Sequence, residues 1–179
     1  MRRPAVFLDR DGVVNRALIR EGRPHPPASL EELDILPGVP QALAALQAHG
    51  YRTVVVTNQP DVARGIASRQ LVDRIHDTLR AALSLDAIFV CLHDEGHGCD
   101  CRKPKPGLLI RAAHDLDIDL PSSFMVGDRW RDMEAGGRAG CRTLFIGNDY
   151  LEKAPVRWDF SVASLVEAAR VILAQSTPQ

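Results

Sequence analysis

Short apolar runs alternate with longer amphipathic segments along the 179-residue chain. That rhythm predicts repeated strand-helix units and a mainly parallel sheet. Strands are expected near 5–9, 52–57, 86–91, 123–127 and 142–146, and helices near 39–49, 69–83, 106–116, 131–139 and 162–174. The last helix would place Val162, Leu165, Val166, Ala169, Ile172 and Leu173 on one face. Ser68 and Ser161 are the expected N-caps. Residues 16–37 hold several prolines and no long periodic element, so they read as a loop or small flap over the carboxyl edge of the sheet. The fold class is therefore α/β: a Rossmann-like sheet with helices on both faces and no large cap domain. Residues 1–179 read as one domain, with no internal repeat, low-complexity stretch or linker.

A chain of this length can bury roughly 70% of its unfolded surface, so no metal is needed merely to hold it together. Lys+Arg 22 against Asp+Glu 23 gives a net charge of -1, with no run of like charge to attract a polyanion. Nucleic acid is not an expected partner. Met1-Arg2-Arg3-Pro4 leads into an apolar stretch of about five residues, too short for a signal-peptide core, and no apolar run reaches transmembrane length. The expectation is a cytoplasmic, soluble protein without a membrane partner, and a monomer. Three of the four cysteines are clustered, which in a reducing compartment favours a metal site over disulfides.

The chemistry concentrates at the predicted strand ends. Asp9 and Asp11 lie one residue apart where Val6-Phe7-Leu8 runs into Gly12. Acids two apart on a strand face the same way, here toward the ligand crevice of an open α/β sheet. A divalent metal and a phosphate oxyanion would make such a pair affordable. The second strand ends in Thr57-Asn58-Gln59, donors suited to phosphate oxygens, although the same residues are common in turns. The fourth ends in Gly127-Asp128, followed by Arg129 and Asp132. Between them lies Cys101-Arg102-Lys103-Pro104, whose lysine could neutralise a transferring phosphoryl group.

In order, these segments resemble the four signature motifs of the haloacid dehalogenase superfamily of phosphohydrolases. Asp-Arg-Asp-Gly, Thr-Asn-Gln, Ala63-Arg64-Gly65 and Cys-x-Cys-Arg-Lys-Pro are similar to the heptose 1,7-bisphosphate phosphatases and their histidinol-phosphate phosphatase relatives. The chain differs from the heptose enzymes at Pro60-Asp61 and at Ala17-Leu18-Ile19-Arg20. The resemblance implies a Mg2+-dependent phosphomonoesterase that removes one phosphate from a sugar bisphosphate, with D-glycero-D-manno-heptose 1,7-bisphosphate the expected substrate, through an aspartyl-phosphate intermediate, with Asp9 as nucleophile and Asp11 as acid/base. It assigns Mg2+ to Asp9, Asp128 and the main-chain carbonyl of Asp11. Thr57, Asn58, Gln59 and Lys103 would hold the phosphoryl group, and Arg102 and Arg129 the rest of the substrate. Asp132 would orient a metal-bound water or Lys103, its alternative being a plain helix-face acid. Histidinol phosphate is the alternative substrate. A catalytically inactive binding protein of the same fold is a further alternative, and a nucleic-acid 3′-phosphatase is disfavoured by the near-neutral charge with only two Trp and two Tyr.

Cys91-x-His93 and Cys99-x-Cys101 offer three thiolates and an imidazole, a complete tetrahedral set for a structural Zn2+. The resemblance puts the same pairs here, in a loop over 91–101. His97 is an alternative ligand. Cys141 reads as a small buried hydrophobe.

Overall fold

The computed structural model describes residues 2–175. The chain begins with β1 (Ala5–Leu8), the strands β2 (Leu18–Arg20) and β3 (Arg23–His25), α1 (Val39–Ala48), β4 (Arg52–Asn58), α2 (Arg69–Ala82) and β5 (Ala87–Cys91). It continues with α3 (Gly107–Asp115), β6 (Phe124–Gly127), α4 (Trp130–Ala139), β7 (Arg142–Ile146), β8 (Phe160–Val162) and α5 (Leu165–Gln175). Six of the strands form a parallel sheet in the order β5-β4-β1-β6-β7-β8. The first strand therefore lies in the middle, with its chain neighbours leaving to opposite sides. That arrangement is a topological switch point, where carboxyl ends of strands open a crevice.

Alternation along β1 divides the core. Val6 and Leu8 pack with residues of α1, α2 and α5, whereas Ala5 and Phe7 pack with residues of α3 and α4. All four are buried, which is why this strand reads as an unbroken apolar run. Val6, Phe7 and Leu8 each contribute about 1.5–3 kcal/mol through burial.

Ser68 caps α2 as expected, its hydroxyl accepting from the Leu71 amide at 3.1 Å. Ser161 does not cap α5. Phe160 and Val162 pair with Leu144 and Ile146 instead, forming a sixth parallel strand whose last residue, Val162, the periodicity reading assigns to the helix. The helix starts after Ser164, whose hydroxyl accepts from Glu167 while the Glu167 carboxylate accepts from the Ala163 amide. Ser164-x-x-Glu167 is the reciprocal capping signature, three residues beyond the expected cap. The predicted flap contains the antiparallel pair β2 and β3, joined through Glu21 and Gly22, both at positive φ. Its edge returns Pro24, His25 and Pro26 to the mouth of the crevice.

Candidate active site

The crevice at the carboxyl ends of β1, β4 and β6 holds a cleft of about 500 Å³ lined by Asp9, Asp11, Asn58, Arg102, Lys103, Arg129 and Asp132 among others. The expected strand alternation is not what brings the first two acids there. The strand stops at Leu8, and Asp9 and Asp11 sit in the turn that follows.

Asp9 is buried, and its Oδ1 accepts from Lys103 Nζ at 2.7 Å. The same ammonium donates to Asp132 Oδ1 at 2.6 Å and to the Val56 carbonyl at 2.8 Å, satisfying its three protons. Burial raises the Asp9 pKa to about 6, aided by the Asp132 charge and opposed by Lys103. Burial disfavours the Lys103 ammonium, but Asp132 and then Asp9 outweigh it and hold its pKa above the ordinary lysine value. Asp132 is thus a buried brace rather than an exposed helix acid, its second oxygen taking the Arg129 amide at 3.0 Å.

Asp11 is held by a separate set. Arg10 Nε and Nη2 donate to it at 3.0–3.1 Å, Asn15 Nδ2 at 3.0 Å and Gln59 Nε2 at 2.8 Å. Gln59 also donates to Thr57 Oγ1, so its buried amide connects Thr57 to the acid/base candidate instead of facing the cleft as a phosphate donor. Asn58 likewise uses its amide on the Lys103 main chain, giving to the carbonyl at 3.0 Å and taking the N–H at 3.1 Å. These two side chains, expected on the phosphate, position Asp11 and Lys103. Arg10 and Asn15 were not foreseen from local pattern.

Asp128 is buried, with Tyr150 Oη donating to its Oδ2 at 2.6 Å and no partner on Oδ1 among the described residues. Burial, then Asp9, then Asp132 raise its pKa well above the ordinary carboxylate value. Gly12, at φ 93°, makes the approach possible: a Cβ there would stand 1.9 Å from Asp128 Oδ2. Oxygens of Asp9, Asp128 and Asp132 lie within 4.8 Å of one another. With all three acids ionised, they would exceed the ammonium of Lys103 by two negative charges, which is why burial raises the pKa of Asp9 and Asp128 here and which a divalent cation would offset. The bare Oδ1 supplies an oxygen ligand of the kind Mg2+ takes, so these residues fit the ion.

Beside the cleft, Cys91, His93, Cys99 and Cys101 bring their ligand atoms within 4.8 Å of one another. The Cys91–Cys99 sulfurs are 3.7 Å apart, close to the edge of about 3.8 Å that two Zn–S bonds set in a tetrahedron, while Cys101 and Cys91 stand closer, at 3.0 Å. His97 is not part of the set; its Nδ1 takes the Asp94 amide at 3.2 Å. The loop docks on the start of α3, where a Cβ at Gly107 would lie 2.2 Å from the Asp100 carbonyl oxygen. Cys141 is buried, which pushes its thiol pKa up to about 12.

The HAD-hydrolase-like family model matches residues 100–168. The D-glycero-beta-D-manno-heptose-1,7-bisphosphate 7-phosphatase of Haemophilus ducreyi is 41% identical over 93% of this chain and 97% of its own length. The chain belongs to this phosphatase family. The Escherichia coli phosphatase of the same name is 33% identical over 98% of the chain and 96% of its own length. Among solved structures, the Bordetella bronchiseptica D,D-heptose 1,7-bisphosphate phosphatase, crystallised with magnesium and phosphate, aligns with a TM-score of 0.82 at 34% identity, over 97% of this chain and 99% of that one.

In this family member the two arginines expected at the substrate are already engaged. Arg129 makes paired bonds to Glu152 at 2.5–3.1 Å, and Arg102 reaches the His93 carbonyl at 3.2 Å with Glu95 at 3.7 Å. Arg131, which no motif singled out, pairs with Glu95 at 2.5 Å and covers the ring of Trp130. A second cavity of about 600 Å³ lies along α4 and is lined by none of Asp9, Asp11, Asp128 and Asp132.

Proposed function

We propose that the chain hydrolyses one phosphate of a heptose 1,7-bisphosphate, the 7-phosphate that its relatives' names specify. The observation that carries this reading is the buried junction of Asp9, Lys103, Asp132 and Asp128 at the floor of the cleft, in a chain of this phosphatase family. An Asp9 oxygen attacks phosphorus, the bond to the leaving oxygen breaks, and Asp11 gives that oxygen its proton. Asp11 then takes a proton from water, which attacks the aspartyl phosphate and releases inorganic phosphate with Asp9 restored. Lys103 keeps Asp9 aimed and offsets charge on the phosphoryl oxygens. The carboxylates of Asp9 and Asp128 and the Asp11 carbonyl would hold Mg2+, which when bound would supply Lewis-acid stabilisation of the phosphoryl group. Thr57, whose buried hydroxyl accepts from Gln59, would supply a further phosphate contact, and Arg102 and Arg129, which line the cleft, would meet the remainder of the sugar phosphate. Cys91, His93, Cys99 and Cys101 would hold a structural Zn2+ that shapes the segment leading to Arg102 and Lys103.

The test is phosphate release from heptose 1,7-bisphosphate, with histidinol phosphate and fructose 1,6-bisphosphate in parallel. The heptose substrate should have the highest kcat/KM. Asp9→Asn should abolish turnover with the fold intact, and Asp11→Asn should cost about 10²–10⁴ in rate, since it removes the proton-transfer partner. Phosphate release at the wild-type rate from Asp9→Asn would overturn the nucleophile assignment.

A further inference from the structure

The loop after β7 reaches back into the site with contacts that no signature motif contains. Asn148 Nδ2 donates to the Asp128 carbonyl, and its Oδ1 receives the Tyr150 amide at 3.0 Å. That turn aims the half-buried Tyr150 ring so that Oη meets Asp128 Oδ2 at 2.6 Å. Two residues on, Glu152 takes the paired bonds of Arg129, and the Leu151 amide donates to Gly22 at the tip of the β2–β3 flap, at 2.7 Å. One short segment therefore touches the candidate metal ligand, the residue after it and the flap.

The two oxygens of Asp128 are unequal as a result. Oδ2 is engaged by a neutral donor, whereas Oδ1 is buried without a partner among the described residues. A buried carboxylate oxygen left bare is costly unless something else satisfies it. Free rotation about the carboxylate would exchange the two oxygens. The hydrogen bond to Tyr150 prevents that, and Gly12 leaves the room for it, since a Cβ there would also lie 3.1 Å from Tyr150 Oη. A phenol suits the task because it holds one oxygen without adding a positive charge that would compete with a cation.

We propose that Tyr150 is a positioning residue for the metal, fixing Asp128 by Oδ2 so that Oδ1 alone is presented to a divalent cation. This rests on the reading of Asp128 as a Mg2+ ligand given above. Partners that orient metal ligands typically govern metal affinity by about 10- to 100-fold.

Tyr150→Phe removes only the hydroxyl. Mg2+ titration calorimetry on the full chain should give a dissociation constant raised about tenfold or more, and Mn2+ used as a paramagnetic probe should show a changed spectrum. Saturating Mg2+ should restore most of kcat, with the substrate KM little altered. Asp149→Asn, at an exposed position in the same loop, should behave as wild type. The proposal is overturned if Tyr150→Phe binds Mg2+ as tightly as wild type. It is equally overturned if kcat falls while Mg2+ affinity is unchanged, because the phenol would then act on the substrate. Asp128→Asn separates the two levels: it should abolish Mg2+ binding, and Mg2+ bound with wild-type affinity would remove the metal reading itself, not only the part assigned to Tyr150.

Discussion

Arg10 is entirely buried between two partners, Asp11 through Nε and Nη2, and His76 Nε2 through Nη1 at 3.2 Å. A guanidinium nitrogen can only donate, so His76 Nε2 must be unprotonated and the neutral ring carries its proton on Nδ1. Burial, then the Arg10 charge, lowers the His76 pKa to about 4 from the usual 6.5. The folded state thus binds fewer protons than the unfolded chain between those values. Its contribution to stability is complete above pH 6.5 and is lost as pH falls toward 4, by at most about 3 kcal/mol. Denaturant melts across that window should show the decline in wild type and a shallower one in His76→Gln. The motif acids and Lys103 were readable because strand-end acids, a glycine turn and an isolated lysine leave local marks. Arg10 and His76 were not, since they are 66 positions apart and only the packing of α2 brings them together. Gln59 and Asn58 were found, but a second duty was not legible: amides at a strand end look like substrate donors, and only the three-dimensional neighbours show them holding Asp11 and Lys103.

At the scale of elements, the cysteine loop has little hydrophobic packing between Cys91 and Cys101. Of the four loop ligands Cys91 alone is buried, and the segment between has only one turn of 3-10 helix, Glu95–His97. Metal analysis after purification without added zinc should find about one Zn2+ per chain. Cys99→Ser should lower zinc content and kcat/KM while leaving the melting temperature of the main sheet close to wild type, because its core is built from β1, β4 and β6. A fully active, zinc-free protein would overturn the zinc assignment. The parallel core strands were legible as apolar runs. The short strands β2, β3 and β8 were not: three residues are too few for periodicity to register, and β8 resembles the first turn of an amphipathic helix.

Across the whole molecule, segments far apart in sequence meet at one switch point: β1 leads to Asp9, the cysteine loop leads to Lys103, β6 leads to Asp128, and the first turn of α4 holds Asp132. Their unbalanced negative charge opposes folding in the absence of a cation, so Mg2+ should act as a stabiliser as well as a cofactor. At a concentration about 100 times its dissociation constant it should add about 2.7 kcal/mol, a rise in Tm of roughly 5–10 °C. Calcium-free thermal melts with and without Mg2+ would read this, and Asp128→Asn should erase the difference. Lys103 has a consequence of another kind. Its side chain is 2% exposed, whereas Lys105, two residues along, is 46% exposed. An amine-acylating reagent should therefore mark Lys105 at once and reach Lys103 only when the sheet edge opens, so one tryptic peptide measured by mass spectrometry carries both an internal standard and a clock for native-state opening.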